Sequence, residues 1–208
     1  MEPIIVINFK TYKQGKDAVK LAKIINKFNK KIIIGVQASD IYEITKQTKL
    51  PVYAQHVDYE KKGRATGFIL PEAIKQDKAT GSFLNHSEHK IPFNQLKLTI
   101  KRCKQINLKT LVFASSLKEA LKIKKLKPTY LVIEPPELVG GKISVSEAKP
   151  NLIKNISKKL KYKFLVGAGI HKKQDIQTAM MLGASGIAIA SAIANANNPN
   201  KKLKELLD

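Results

Sequence analysis

Eight short runs of apolar, mostly β-branched residues recur along the chain, separated by stretches with apolar residues three and four positions apart. No other feature of the sequence restricts the fold as much. The runs cover residues 4–8, 32–37, 52–56, 81–85, 110–114, 130–134, 164–167 and 186–190. Most are apolar throughout instead of alternating, the pattern of parallel strands buried on both faces. The stretches 17–28, 93–106, 116–125, 146–160 and 174–182 carry lysines opposite their apolar positions and predict amphipathic helices. Strand and helix alternate without a Pro/Gly/Ser linker, so residues 1–208 are expected to form one domain. Spreading 208 residues over eight units leaves 26 for each, enough for a strand of about 5 residues, a helix of about 11 and two short loops. The expected fold is α/β, an eight-stranded parallel (β/α)8 barrel. An open doubly wound sheet is the alternative, but the first strand-to-helix turn, Asn8-Phe9-Lys10-Thr11-Tyr12, lacks the glycines of a dinucleotide site.

The remaining composition narrows the function classes. Cys103 is the one cysteine, which excludes an internal disulfide and a cysteine-based zinc site and suits a reducing cytosol. No run reaches the ~18 apolar residues of a membrane span and no signal peptide opens the chain, so a cytoplasmic protein with no membrane partner is expected. The net charge is +22, and because only Arg64 and Arg102 are arginine, 36 of the 38 basic residues are lysine. Specific nucleic-acid readers use arginine forks and stacked aromatics. Here aromatic residues make up 6% of the chain and lysines are spread along all of it, which reads as a solvated surface with no specific nucleic-acid partner.

In a barrel of this kind the chemistry gathers where the strands end at their C-termini. Those ends carry Asn8 and Lys10, Gln55 and His56, Asn85, His86 and Glu88, Glu134, Gly167 and Gly169, and Ala190 and Ser191. A cation, an imidazole and a carboxylate converge. Small residues just before the last helices leave backbone N–H groups free to hold an anion, so a phosphate site is expected. Four histidines without short spacing do not make a metal site. His56 is expected in packing or at a subunit interface, His89 and His171 in solvated loops, and Cys103 as a structural or surface thiol.

Taken in order, Asn8-Phe9-Lys10-Thr11, Ala54-Gln55-His56, Thr66-Gly67, Asn85-His86-Ser87-Glu88, Glu134-Pro135-Pro136-Glu137-Leu138, Gly167-Ala168-Gly169-Ile170 and Ala190-Ser191 resemble the triosephosphate isomerase family, in its short archaeal branch. The resemblance spans essentially the whole chain. It implies a TIM barrel that interconverts dihydroxyacetone phosphate and D-glyceraldehyde 3-phosphate through an enediolate, in glycolysis and gluconeogenesis, with no cofactor and no metal. It makes Glu134 the base, His86 the electrophile and Lys10 the cation, supported by Asn8 and Glu88. The phosphate falls to Asn8, Lys10, Gly140, Gly167, Gly169, Ala190 and Ser191. A mobile lid is implied over Pro135, Pro136, Glu137, Leu138, Val139, Gly140, Gly141 and Lys142. Family members associate, so a homodimer or homotetramer is implied, with Gln55 and Thr66 near the interface. Two departures stand out: Gly140-Gly141-Lys142 replaces the family's Gly-Thr-Gly hinge, and Ala192 stands where a glycine often follows Ala-Ser.

Overall fold

The computed structural model describes residues 2–28, 31–139, 141 and 144–207. Eight parallel strands close into a barrel in sequence order, as expected. They are β1 (Ile4–Asn8), β2 (Ile32–Val36), β3 (Val52–Ala54), β4 (Gly81–Leu84), β5 (Lys109–Ala114), β6 (Tyr130–Ile133), β7 (Phe164–Gly167) and β8 (Gly186–Ile189). The ring is completed by β1 against β8, with Ile5 opposite Ile187 and Ile7 opposite Ile189. Around it run α1 (Gly15–Ile25), α2 (Ile41–Gln47), α3 (Pro71–Gln76), α4 (Phe93–Gln105), α5 (Leu117–Lys124), α6 (Val145–Ala148), α7 (Pro150–Leu160), α8 (Lys173–Met181), α9 (Ser191–Ala194) and α10 (Pro199–Leu207).

Alternation along each strand separates two cores. Ile5 and Ile7 of β1, Val112 of β5 and Ile133 of β6 face outward into the layer shared with the helices. Val6, Tyr53, Phe83, Leu111, Phe113, Val132 and Leu165 face inward and fill the barrel. Because both faces are buried, the strands read as unbroken apolar runs. The helices bury one stripe each, as Ala18, Leu21, Ala22 and Ile25 do in α1.

The structure departs from the expected helices at several points. Residues 146–160 are not one helix but α6 and α7, divided at Lys149-Pro150. Pro150 has no N–H to give a preceding turn, so it opens α7 at its first position, where that N–H is not needed. Helices α2, α3 and α10 fall where the periodicity analysis marked none. Cys103 is fully buried in α4, and burial pushes its thiol up to about 12, which leaves it inert.

A chain of rings runs up the barrel interior. Tyr53 and Phe83 lie 6.0 Å apart between centroids, Phe83 meets Phe113 edge-on at 5.6 Å, and Phe113 meets His86 edge-on at 4.6 Å. This column needs room on the facing strand, and Gly35 of β2 supplies it: a Cβ there would overlap the Phe83 ring. Gly35→Ala is therefore expected to destabilise the barrel by about 1–3 kcal/mol, the usual range for overpacking. The urea unfolding midpoint checks this; an unchanged midpoint with unchanged slope would show that the Phe83 ring yields freely.

Candidate active site

Lys10 lies two residues past the end of β1, where the chain leaves the barrel in a left-handed turn with φ of 48°. That conformation costs a lysine of order 1–2 kcal/mol, so something must hold it. The Asn8 side-chain oxygen accepts from the Lys10 N–H at 2.9 Å, and the Gln55 amide donates to the Lys10 carbonyl at 2.7 Å. Gln55 thus turns inward to support the lysine. The Lys10 Nζ reaches the Glu88 carboxylate at 2.6 Å, with the lysine side chain 13% exposed and the glutamate 55%.

His86 follows β4 through Asn85, whose φ of 59° reverses the chain at the strand end. The reversal forms a turn in which the His89 N–H meets the His86 carbonyl at 2.9 Å. The same turn aims the Glu88 N–H at His86 Nδ1, 3.1 Å away. A backbone N–H can donate only to an unprotonated ring nitrogen, so the proton of the neutral ring sits on Nε2. Nε2 lies 3.2 Å from Glu134 Oε2. Burial pulls the imidazole below its ordinary value, and this outweighs the opposite pull of the Glu134 and Glu88 carboxylates.

Glu134 comes directly after β6 and is itself buried. Its Oε2 also accepts from the Ser87 hydroxyl at 3.0 Å. Gly167 at the end of β7 leaves the space that this carboxylate occupies, since a Cβ there would lie 2.9 Å from Glu134 Oε1. Gly167 thus sits under the carboxylate and does not line the cleft, whereas Gly169, Ala190, Ser191 and Ala192 do. Ser191 and Ala192 open α9, where helical amides have no partner of their own. Ala168 and Gly169 are successive left-handed residues, with φ of 78° and 66°.

Of the expected lid, Gly140 and Lys142 lie outside the described residues. Pro136–Leu138 forms a 3-10 turn, Leu138 packs on the outer core, and Val139 and Gly141 line the cleft. Glu137 pairs with Lys149 at the start of α7. His171, expected in solvent, corrects that reading: it is half-buried and its Nε2 lies 3.0 Å from the Gly141 carbonyl. His89 is exposed, but its ring rests 4.4 Å from that of His56, which in turn pairs with Asp58 at 3.1 Å.

The sequence motifs thus contain the side chains that meet in the mouth but give no role there to Ser87, Phe113 or His171. Ser87 had a visible signal, because it adjoins His86 in the Asn-His-Ser-Glu run; the other two contacts depend on ring and loop directions that no local motif encodes.

Because its pKa is lowered, His86 should take up a proton only below the ordinary histidine value of ~6.5. At pH 6.5 its ring is expected to remain neutral with hydrogen on Nε2, as read from long-range ¹⁵N–¹H NMR assigned with His86→Gln. Half-protonation at or above that pH would contradict the geometry.

Comparison with known proteins agrees with these features. The sequence model of the triosephosphate isomerase family matches residues 3–206. A triosephosphate isomerase from Sulfurisphaera tokodaii is 40% identical, over 99% of this chain and 94% of its own length. Those from Saccharolobus solfataricus and Methanocaldococcus jannaschii are 39% and 37% identical, again over nearly the full length of both chains. With a closed barrel that brings lysine, histidine and glutamate to one mouth, and full-length relatives of a single kind, the chain belongs to the triosephosphate isomerase family.

Proposed function

We propose that the barrel mouth interconverts dihydroxyacetone phosphate and D-glyceraldehyde 3-phosphate, with Glu134 as the base and His86 as the electrophile. One observation carries the assignment: a neutral imidazole presents its Nε2–H 3.2 Å from a buried carboxylate. A carbon acid beside a carbonyl needs that pair, a base for the C–H and a donor for the oxygen that becomes negative. The Glu134 carboxylate takes a proton from C1 of the ketone while His86 Nε2–H donates to the carbonyl oxygen. The C–H electron pair becomes the C1–C2 double bond of the enediolate, whose charge faces the Lys10 ammonium. The O1 hydroxyl proton passes to O2 by way of His86, and return of the proton from Glu134 to C2 then gives the aldehyde at C1 and the hydroxyl at C2.

Glu134 bonds to both His86 and Ser87, so the substrate must enter between base and electrophile and free the carboxylate from the serine. The phosphate is assigned to the backbone amides at Gly169 and Ser191, with Gly140 joining from the lid and Ala190 shaping the wall. Asn8 acts through its grip on the Lys10 turn, and Glu88 occupies Lys10 until the substrate replaces it. The reaction belongs to cytoplasmic glycolysis and gluconeogenesis. Assembly as a homodimer or homotetramer, with Gln55 and Thr66 near the interface, belongs to the same proposal.

Purified protein is expected to isomerise either triose phosphate in a coupled assay, with activity unaffected by chelators. Glu134→Gln keeps the shape and removes the base, so kcat should fall at least ~10²-fold with the fold intact. Activity that appears only with an added divalent metal, or a Glu134→Gln variant that turns over at the wild-type rate, would refute the assignment.

A further inference from the structure

The loop that carries His86 is held at both ends from outside itself. At its start the Asn85 amide donates to the Phe113 carbonyl at 2.9 Å and to Glu119 Oε1 at 2.8 Å. At its end the Lys90 Nζ reaches the same Glu119 oxygen at 2.9 Å and Oε2 at 3.2 Å. The Asn85 side-chain oxygen accepts from the Ile91 N–H at 3.3 Å, which ties the two ends together. Glu119 is in turn fixed by Ser115, whose N–H and hydroxyl donate to Oε2 at 2.7 and 2.6 Å.

We propose that Glu119, in the first turn of α5, is a positioning residue for the isomerisation, holding the turn from Asn85 to Lys90 so that His86 presents Nε2 to the substrate oxygen. The inference rests on the assignment of His86 as electrophile. Glu119 itself touches neither His86 nor the cleft; it acts through Asn85 and Lys90, the residues that flank the His86-Ser87-Glu88-His89 turn. Burial works against its charge, yet the bonds from Ser115, Lys90 and Asn85 prevail and bring the carboxyl down to about 2, so the clamp is ionised wherever the enzyme works. Asn85 is in a left-handed conformation at φ 59°, one that asparagine tolerates and that its bonds to Phe113 and Glu119 hold in place. Positioning of this kind bears on turnover, because a small displacement of a reacting group lowers the rate more than it weakens binding.

A purely structural role would be that of a helix-capping glutamate. Ser116 shares that role, because its hydroxyl accepts from the Glu119 N–H at 3.2 Å without touching the loop. The test compares Glu119→Ala, Glu119→Asp and Ser116→Ala by steady-state kinetics, unfolding midpoint and ¹⁵N NMR of His86. Glu119→Ala should lower kcat about 10-fold or more with KM changed less than about 2-fold, and should shift the His86 ring signals. Glu119→Asp should recover part of the loss. Ser116→Ala should lower the unfolding midpoint and leave kcat and the His86 spectrum at wild-type values. A folded Glu119→Ala enzyme with wild-type kcat and an unmoved His86 spectrum overturns the inference while leaving the isomerase assignment in place; wild-type protein without isomerase activity overturns the assignment itself. If Glu119→Ala does not fold, the same two readouts on Glu119→Gln decide, with unchanged values counting against the clamp.

Discussion

The pairing of β1 with β8 is the contact on which the other relations in this molecule depend. It turns eight strands into a ring without a free edge, so no strand offers unpaired backbone groups to another chain. Closure also makes each strand alternate strictly between the barrel interior and the helical layer. Because every strand is parallel, all eight C-terminal ends open at the same mouth. Lys10, His86 and Glu134 come from the first, fourth and sixth strand ends and meet for that reason alone.

Within the mouth, short-range backbone geometry decides the chemistry. One N–H, that of Glu88, fixes which nitrogen of His86 carries hydrogen, and burial keeps the ring uncharged beside two carboxylates. A neutral donor suits an oxygen that gains negative charge and must then lose it again, because it stabilises that charge without trapping it as an ion pair. Left-handed residues stand at three of the strand ends, Lys10, Asn85 and Ala168, where the chain must turn sharply to aim a group inward. Each is held by bonds from neighbouring units, so the strain is carried by the barrel as a whole.

The fold was legible because closure leaves a periodic trace. A strand buried on both sides carries few polar residues away from its ends, and all eight apolar runs lie within a residue or two of the observed strands. The helices were less visible where they are short. Seven residues of α2 and six of α3 hold too few turns to show a stripe, and Pro150 divides a segment whose apolar spacing runs on across it. For the site, residue type at a strand end brings up Lys10, His86 and Glu134 among several other polar residues, and the family resemblance sets them apart. Orientation is not readable: nothing in the local motifs tells that the Gln55 amide faces the Lys10 carbonyl or that Gly167 makes room for the Glu134 carboxylate. Such facts depend on which way a side chain turns once neighbouring strands are in place.

The aromatic column from Tyr53 through Phe83 and Phe113 to His86 makes the barrel interior one continuous packing unit. A smaller side chain at Phe83 would leave Phe113 unsupported, and through it the surface against which the His86 imidazole rests. Substitutions along the axis should therefore be tolerated in compensating groups, and an engineer wishing to reshape the mouth must begin at the opposite end of the barrel.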